Sequence, residues 1–431
     1  MKAHTESGGY VSAAPLRQPA LSEPIGVGLV GGGRWARTIA SVLTSALPER
    51  SRIVWVSPGN HAGIRLWADK AALPTGVSLS IHSDMTSLLS DEGVRHVCIA
   101  NAAADHVATA LAVLNAGKNV LVEKPLSLNL KGAQEVVAAA ARQRLIAGVG
   151  HVFLFARYLH RFSERLKTLG ALSSVRLVWH DAVAERRDDE IKSFDASISV
   201  VEDVMPHVWS ILRVLFPDAT QVAFRGLDAT RAGATVTISM EAAGTVCVAE
   251  LARDSDCRRR LLRVESERGV AELDFTAEPG VMRLDGRTEN ADPQWLMLPR
   301  PLRTEIAYFL GLPAHEPPRH PFAVGEAIDA VRLSEECQAI YEAAQASSCV
   351  AMLRSKDANV RALAAYGVNE LVQRHRLVRG KLSVEDTGRM IDGLIAALSN
   401  DLQQTAAAPS HAELVEHLSV KLRKSGRLAP P

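Results

Sequence analysis

Cysteine is scarce and scattered. The five thiols, Cys98, Cys247, Cys257, Cys337 and Cys349, are odd in number and never fall at CxxC spacing. That pattern argues against a disulfide framework or a zinc site and suits a reducing compartment. An excess of one charge is missing too: 49 basic residues face 48 acidic ones, so no global field draws the chain to nucleic acid or to an anionic membrane. The one basic run, "CRRRLLR" from Cys257 to Arg263, alternates with apolar residues and is expected at the edge of a solvated strand. No apolar run approaches the roughly 18 residues of a membrane span. The first 24 residues are polar and rich in Gly, Pro and Ser, without the apolar centre of a secretory signal. These absences predict a cytoplasmic protein with a flexible leader (1–24), no metal, and neither nucleic acid nor membrane as a partner.

What is present is an ordinary globular composition, 47% hydrophobic and 23% charged over 431 residues, enough for two domains and a small third. The stretch "IGVGLVGGGRWARTIASVL" reads as a strand over Val27–Val30, a glycine-rich turn, and a helix with apolar positions at Ala36, Ile39, Ala40 and Leu43. Such a unit suits a dinucleotide. Gly31 permits the tight turn, Gly33 lets the backbone approach a pyrophosphate, and small Ala36 allows the helix to pack closely on the strand. Alone, a glycine-rich turn is equally an ordinary strand-to-helix loop. The context is more specific: "RIVWVS", "RHVCIAN" and "KNVLVEKP" are continuous apolar strands separated by helical segments, the pattern of a parallel sheet covered on both faces.

At the end of the second strand, "VWVSPGNHAGIR" has no acid before Asp69 to bind an adenosine ribose. Ser57, Asn60, His61 and Arg65 are candidates for a 2′-phosphate instead, which favours NADP(H) over NAD(H). Arg34, Trp35, Asn101, Glu123 and Lys124 complete the candidate cofactor set. In "VEDVMPHVWSIL", Asp203 and His207 lie one helical turn apart in an apolar run. Read alone they suit a helix cap and a core histidine as well as a proton-transfer pair.

"GLVGGGRWART", "VLVEKPLSLN", "GVGHVFLFARYLHRF" and "EDVMPHVWSILRVLFP", in that order, resemble the Gfo/Idh/MocA oxidoreductase family, and the resemblance extends over about residues 25–347. It implies an N-terminal Rossmann domain with a parallel sheet (25–148). An α+β substrate and oligomerisation domain (149–347) with a large, mostly antiparallel open sheet would follow. It further implies a nicotinamide cofactor, a homodimer or homotetramer, and a catalytic set of Lys124, Asp203 and His207, with Pro125 often cis. His207 would exchange the proton of a substrate hydroxyl while Lys124 polarises the oxygen. His151 and Met205 are candidate pocket residues, with His160 held more lightly. Met205 stands where the family commonly has glycine and is expected to reshape the pocket, so the substrate class stays open. It is a sugar or nucleotide-linked sugar, or a non-sugar imine or ketone; a non-catalytic dinucleotide-binding scaffold is the remaining alternative.

Beyond the resemblance, residues 348–431 read as a helical extension of three helices. The last two open on capping boxes, Ser383 with Asp386 and Ser410 with Glu413. Their apolar faces call for the body of the subunit, another subunit or a protein partner.

Overall fold

The computed structural model describes residues 24–71, 76–182, 186–187, 190–191, 198–313, 324–353 and 355–357, and single positions 360, 363, 364, 367, 368, 370, 371 and 374. Most of the expected leader and the last two helices of the extension lie outside the described residues. The chain divides into two compact units. One comprises Met1–Lys192, Val200–Gly226 and Thr237–Ala339, the other Ser193–Ser199, Leu227–Val236 and Ile340–Pro431.

The first unit begins with alternating strands and helices: β1 (Gly26–Val30), α1 (Arg34–Ala46), β2 (Arg52–Val56), α2 (His61–Lys70), β3 (Ser78–His82), α3 (Thr86–Leu89), β4 (Val94–Ile99), α4 (His106–Asn115), β5 (Asn119–Glu123), α5 (Leu130–Gln143) and β6 (Ala147–Gly150). The strands form one parallel sheet in the order β3-β2-β1-β4-β5-β6. Period-two alternation divides its side chains between two cores. Val27, Leu29, Ile53 and Trp55 meet Ile39 and Leu43 of α1 on one face, whereas Val30, Val54, Val97 and Ile99 meet residues of α4 and α5 on the other. The four apolar positions predicted for α1 are among its buried residues. Helix α5 starts where the Asn129 side chain accepts a hydrogen bond from Gly132 N at 2.8 Å, and it stops at Arg144 in the left-handed region, φ 55°. Because successive connections run one way from β1 and the other way from β4, a crevice opens between these strands at their carboxyl ends, where such sheets bind ligands.

After β6 come α6 (Arg157–Leu166), β7 (Leu172–Ala182), the short pair β8 (Arg186–Arg187) and β9 (Glu190–Ile191), and α7 (Val200–Leu215). Strands β10 (Val222–Thr230), β11 (Thr235–Ala242), β12 (Thr245–Ser255), β13 (Arg259–Ser266), β14 (Gly269–Asp274), β15 (Val281–Leu284) and β16 (Arg287–Asn290) follow, then α8 (Pro301–Phe309) and α9 (Val324–Leu353). Eight of these strands form a second sheet, ordered β10-β11-β12-β7-β13-β14-β15-β16. The β12/β7 pair is parallel; the pairs on the other side of β7, out to β16, are antiparallel. The fold is therefore the α/β plus α+β arrangement expected. One expectation is corrected: the strand that the "CRRRLLR" run enters is not solvated throughout. The β13 portion of the run pairs with both β7 and β14, and Arg260 is 2% exposed. Arg260, Leu262 and Val264 share the inward parity of the strand, and the carboxylate of Asp181 on β7 neutralises the buried guanidinium.

In the second unit, Tyr341 donates to Gly233 O at 2.9 Å and Gln345 to Ala232 O at 3.1 Å, while Arg374 donates to the Gln345 side-chain oxygen at 2.5 Å. The first expected helix of the extension is helical at its described positions, and Val368 packs with Ala232 and Cys349.

Candidate active site

The glycine-rich loop is held from below by the second strand. Gly31 has φ 129°, and a Cβ there would lie 2.3 Å from Ala100 O, so only glycine fits. Its N–H donates to Val56 O at 2.9 Å, and its carbonyl accepts from the indole of fully buried Trp55 at 2.7 Å. A Cβ on Gly32 would meet Ser57 Oγ at 2.3 Å, whereas one on Gly33 would meet nothing within 4 Å. Gly33 thus leaves the amino end of α1 open, with no side-chain cap on its first N–H groups. That arrangement fits a pyrophosphate. Across the crevice, Asn101 donates to Thr109 Oγ1 at 2.9 Å, and its buried Oδ1 has no partner among the described residues. It is an acceptor left over where a bound dinucleotide would lie.

Ser57 and Asn60 are placed differently from the expectation. Ser57 is buried and accepts from Asn60 N at 3.2 Å, and the Asn60 amide donates to Gly32 O at 2.7 Å. Both brace the loop. His61 and Arg65, 3.3 Å apart, remain beside the amino end of α2.

At the end of β5 the Lys124–Pro125 bond is cis. His106 secures this turn: its Nδ1 lies 2.7 Å from Pro125 O and its Nε2 3.3 Å from Asn101 O. Burial, foremost, lowers the pKa of this imidazole, so it is neutral and donates from Nδ1 to the proline carbonyl. Lys124 Nζ reaches across to α7, where it donates to Asp203 Oδ1 at 2.5 Å and to Asp203 O at 3.0 Å. Every residue of α7 is buried except Asp203 and His207. The two polar side chains therefore share the one open stripe of the helix, beside the lysine.

Burial alone would raise the Asp203 carboxyl, but Lys124 and then Arg253 hold it well below the usual carboxylate range. Arg253 Nη2 lies 3.2 Å from Asp203 Oδ2. For His207, burial first and Lys124 second drive the pKa well below 6.5, against the opposing pull of Asp203. A neutral imidazole results. It stacks on Trp179 at 5.0 Å and 19° and meets Phe153 edge-on at 5.2 Å. Its Nδ1 is buried without a partner among the described residues. The guanidinium of Arg260 lies 3.9 Å from the Trp179 ring centre and pairs with Asp181.

The remaining candidates divide. His151 is buried against Trp209, 4.9 Å between rings, and burial and Lys124 push its pKa down to about 3. Met205 is completely buried. Two residues from both Asp203 and His207, it faces the other side of α7 and packs in the core instead of walling the pocket. His160 bonds Leu154 O at 2.7 Å, apart from the Lys124–Asp203 pair. Trp35 is 37% exposed and its indole donates to the Glu123 carboxylate, whose pKa burial raises to about 7. Nearby Glu305 on α8, 1% exposed, has both carboxyl oxygens unpartnered among the described residues. Arg253, His106, Trp55 and Glu305 were not singled out from sequence. For Arg253 a signal existed: in β12 it continues the buried parity of Cys247, Ala249 and Leu251, a charge at an inward position.

Residues 25–151 match the family described as "Oxidoreductase family, NAD-binding Rossmann fold", Gfo/Idh/MocA. Over these residues the chain is similar to the nucleotide-binding domain of that family. The Gfo/Idh/MocA likeness extends to inositol 2-dehydrogenase/D-chiro-inositol 3-dehydrogenase of Lacticaseibacillus casei, 25% identical over 47% of this chain and 59% of that protein. It also extends to 1-carboxy-3-chloro-3,4-dihydroxycyclohexa-1,5-diene dehydrogenase of Comamonas testosteroni, 28% identical over 44% of this chain and 47% of that protein. The chain spans about half the length of these curated relatives. Among solved structures, UDP-N-acetylglucosamine 3-dehydrogenase from Acidithiobacillus ferrooxidans superposes with a TM-score of 0.59 at 20% identity, over 75% of this chain and 99% of that one. That likeness shows a shared two-sheet fold that continues beyond the nucleotide-binding domain. Among the described residues no helix is long and apolar enough to cross a membrane.

Proposed function

We propose that the protein is an NAD(P)-dependent oxidoreductase acting on a hydroxyl or keto carbon of a small polar substrate, with a sugar or nucleotide-linked sugar as the favoured class. The observation that carries this reading is the opening of α7: Asp203 and His207 are its only residues that are not buried, and Lys124 is bonded to the former. A bound nicotinamide supplies the hydride acceptor or donor. The chain supplies the proton chemistry. Neutral His207 accepts the proton of a substrate hydroxyl, and Lys124 donates a hydrogen bond to the oxygen as negative charge grows there. Ionised Asp203 keeps the ammonium in place. The relatives named above act, by their names, on a cyclitol, a cyclic diol and a nucleotide sugar, and those substrate types motivate the class proposed here.

NADP(H) is the cofactor we favour, because β2 runs into Ser57 without an acid and His61 and Arg65 stand beside the start of α2. The imine-reductase alternative rested on Met205 reshaping the pocket, and its burial elsewhere removes that support. A homodimer or homotetramer through the open face of the second sheet fits Val246, Val270 and Val281, all exposed there.

The test is direct. Protein titrated with NADPH and NADH, followed by dinucleotide fluorescence and by melting temperature, is expected to bind NADPH more tightly. Oxidation of myo-inositol and UDP-N-acetylglucosamine then probes the substrate class. Lys124→Ala and His207→Ala are each expected to lower turnover by about 10²–10⁴-fold with cofactor affinity nearly intact. Undiminished turnover in either variant would sink the assignment, and no turnover of either compound would sink the substrate class.

A further inference from the structure

Where an imidazole passes a proton at one nitrogen, the ring is ordinarily set by a hydrogen bond at the other. His207 lacks that bond. Its Nδ1 is buried without a partner among the described residues, so Nε2 is the nitrogen that can meet a substrate, and no hydrogen bond at Nδ1 anchors the far side of the ring. The carboxylate of Asp203, one turn earlier on α7, gives its oxygens to Lys124 and Arg253. Orientation is left to packing, and two aromatic side chains supply it. Trp179 stacks on the imidazole, 5.0 Å between centres and 19° between planes. Phe153, in the 3-10 turn Val152–Phe155, meets it at 5.2 Å and 89°. These two rings themselves stand at 86° to each other, 5.7 Å apart. Contacts from perpendicular directions restrict the tilt of the imidazole more than either does alone.

Trp179 is well placed to act as the reference surface. It shares the inward parity of β7 with Val175, Leu177 and Asp181, is 7% exposed, and lies opposite Arg260 in the β7/β13 pairing. The Arg260 guanidinium lies 3.9 Å from the centre of the indole and pairs with Asp181, two residues along β7. The sheet thus holds the indole, and His207 comes from α7 to rest on it.

We propose that Trp179 is a positioning residue for the oxidoreductase reaction, its indole setting the plane of the His207 imidazole so that Nε2 points at the reacting hydroxyl beside Lys124. This role rests on the proton-transfer reading of His207 above. The lone pair of Nε2 lies in the ring plane, and a hydrogen bond weakens steeply as its geometry bends. A tilted imidazole therefore loses the transfer although the histidine is still present. An aliphatic side chain at position 179 fills space without offering a flat face; phenylalanine offers one.

The first measurement needs no substrate. Wild type, Trp179→Leu and Trp179→Phe are isotopically labelled at histidine Cε1, and the His207 resonance is identified by its loss in His207→Ala. One resonance, no broader than those of the other histidines, is expected in the wild type and in Trp179→Phe. In Trp179→Leu a broadened or split resonance is expected, as the ring samples several planes. With UDP-N-acetylglucosamine or myo-inositol, whichever is turned over, Trp179→Leu should lower kcat about 10–100-fold at nearly constant KM, and Trp179→Phe should recover most of it. A single narrow His207 resonance in Trp179→Leu overturns the role of Trp179, as does a kcat that leucine leaves unchanged. A wild type that binds no dinucleotide overturns the oxidoreductase reading instead. If Trp179→Leu does not fold, Trp179→Met takes its place, and a wild-type resonance already broadened or split sinks the proposal without any variant.

Discussion

Glu305→Gln tests how the protein tolerates a lone buried acid. Glu305 is 1% exposed, both its oxygens lack partners among the described residues, and burial, followed by the neighbouring Glu123, lifts its pKa well above the ordinary 4.5. In the folded protein the carboxyl stays protonated to higher pH than in the unfolded chain, where it ionises near 4.5. The folded state therefore holds one more proton than the unfolded state above pH 4.5, and stability is lost as pH rises, until the folded pKa is reached. One proton corresponds to about 1.4 kcal/mol per pH unit. Glutamine matches the shape of the neutral acid and has no proton to lose. The wild type and Glu305→Gln should have similar unfolding free energies at pH 4.5. The variant should then gain on the wild type as pH rises, by at most about 1.4 kcal/mol for each further unit, until the folded pKa is reached. Urea unfolding at half-unit steps from pH 4.5 to 8 measures the gap. A gap that stays constant across this range would show that the carboxyl is ionised or partnered in the folded protein.

Three further changes probe other parts of the structure. Gly31→Ala places a Cβ 2.3 Å from Ala100 O at φ 129° and should abolish dinucleotide binding and lower the melting temperature; a variant that binds normally would disprove the loop geometry. Met205→Ala should cost about 2–5 kcal/mol of stability as a cavity mutation while leaving KM for the accepted substrate nearly unchanged, and a large KM change would return this residue to the pocket wall. His61→Ala with Arg65→Ala should weaken NADPH binding about tenfold and leave NADH binding unaltered; equal losses for both cofactors would remove the 2′-phosphate site.

The parallel sheet was legible because each of β1, β2, β4 and β5 is a continuous apolar run, and burial on both faces leaves that signature. Strand β3 was not, since "SLSIH" is a half-exposed edge strand whose polar alternate positions resemble a loop. In the second sheet, the arginines that open β13 read as solvated, whereas the carboxylate of Asp181, on a strand distant in sequence, helps make Arg260 tolerable inside. The Lys124–Asp203 contact was anticipated through resemblance, as no local pattern links residues 79 positions apart. Arg253 and Glu305 escaped for a related reason: their importance lies in what surrounds them across the fold. Met205 shows the opposite failure. A departure from a family pattern pointed at the pocket, whereas helical geometry turns the residue away from it.

The bracing of Gly31 by Trp55, and of Gly32 by Ser57 and Asn60, has a consequence for transplantation. The glycine-rich segment is not a self-sufficient module. Moved into another α/β scaffold without those three residues, "GLVGGGRW" would lose the indole that holds one carbonyl and the amide that holds the next. A successful graft must carry the second strand and its following turn together with the first.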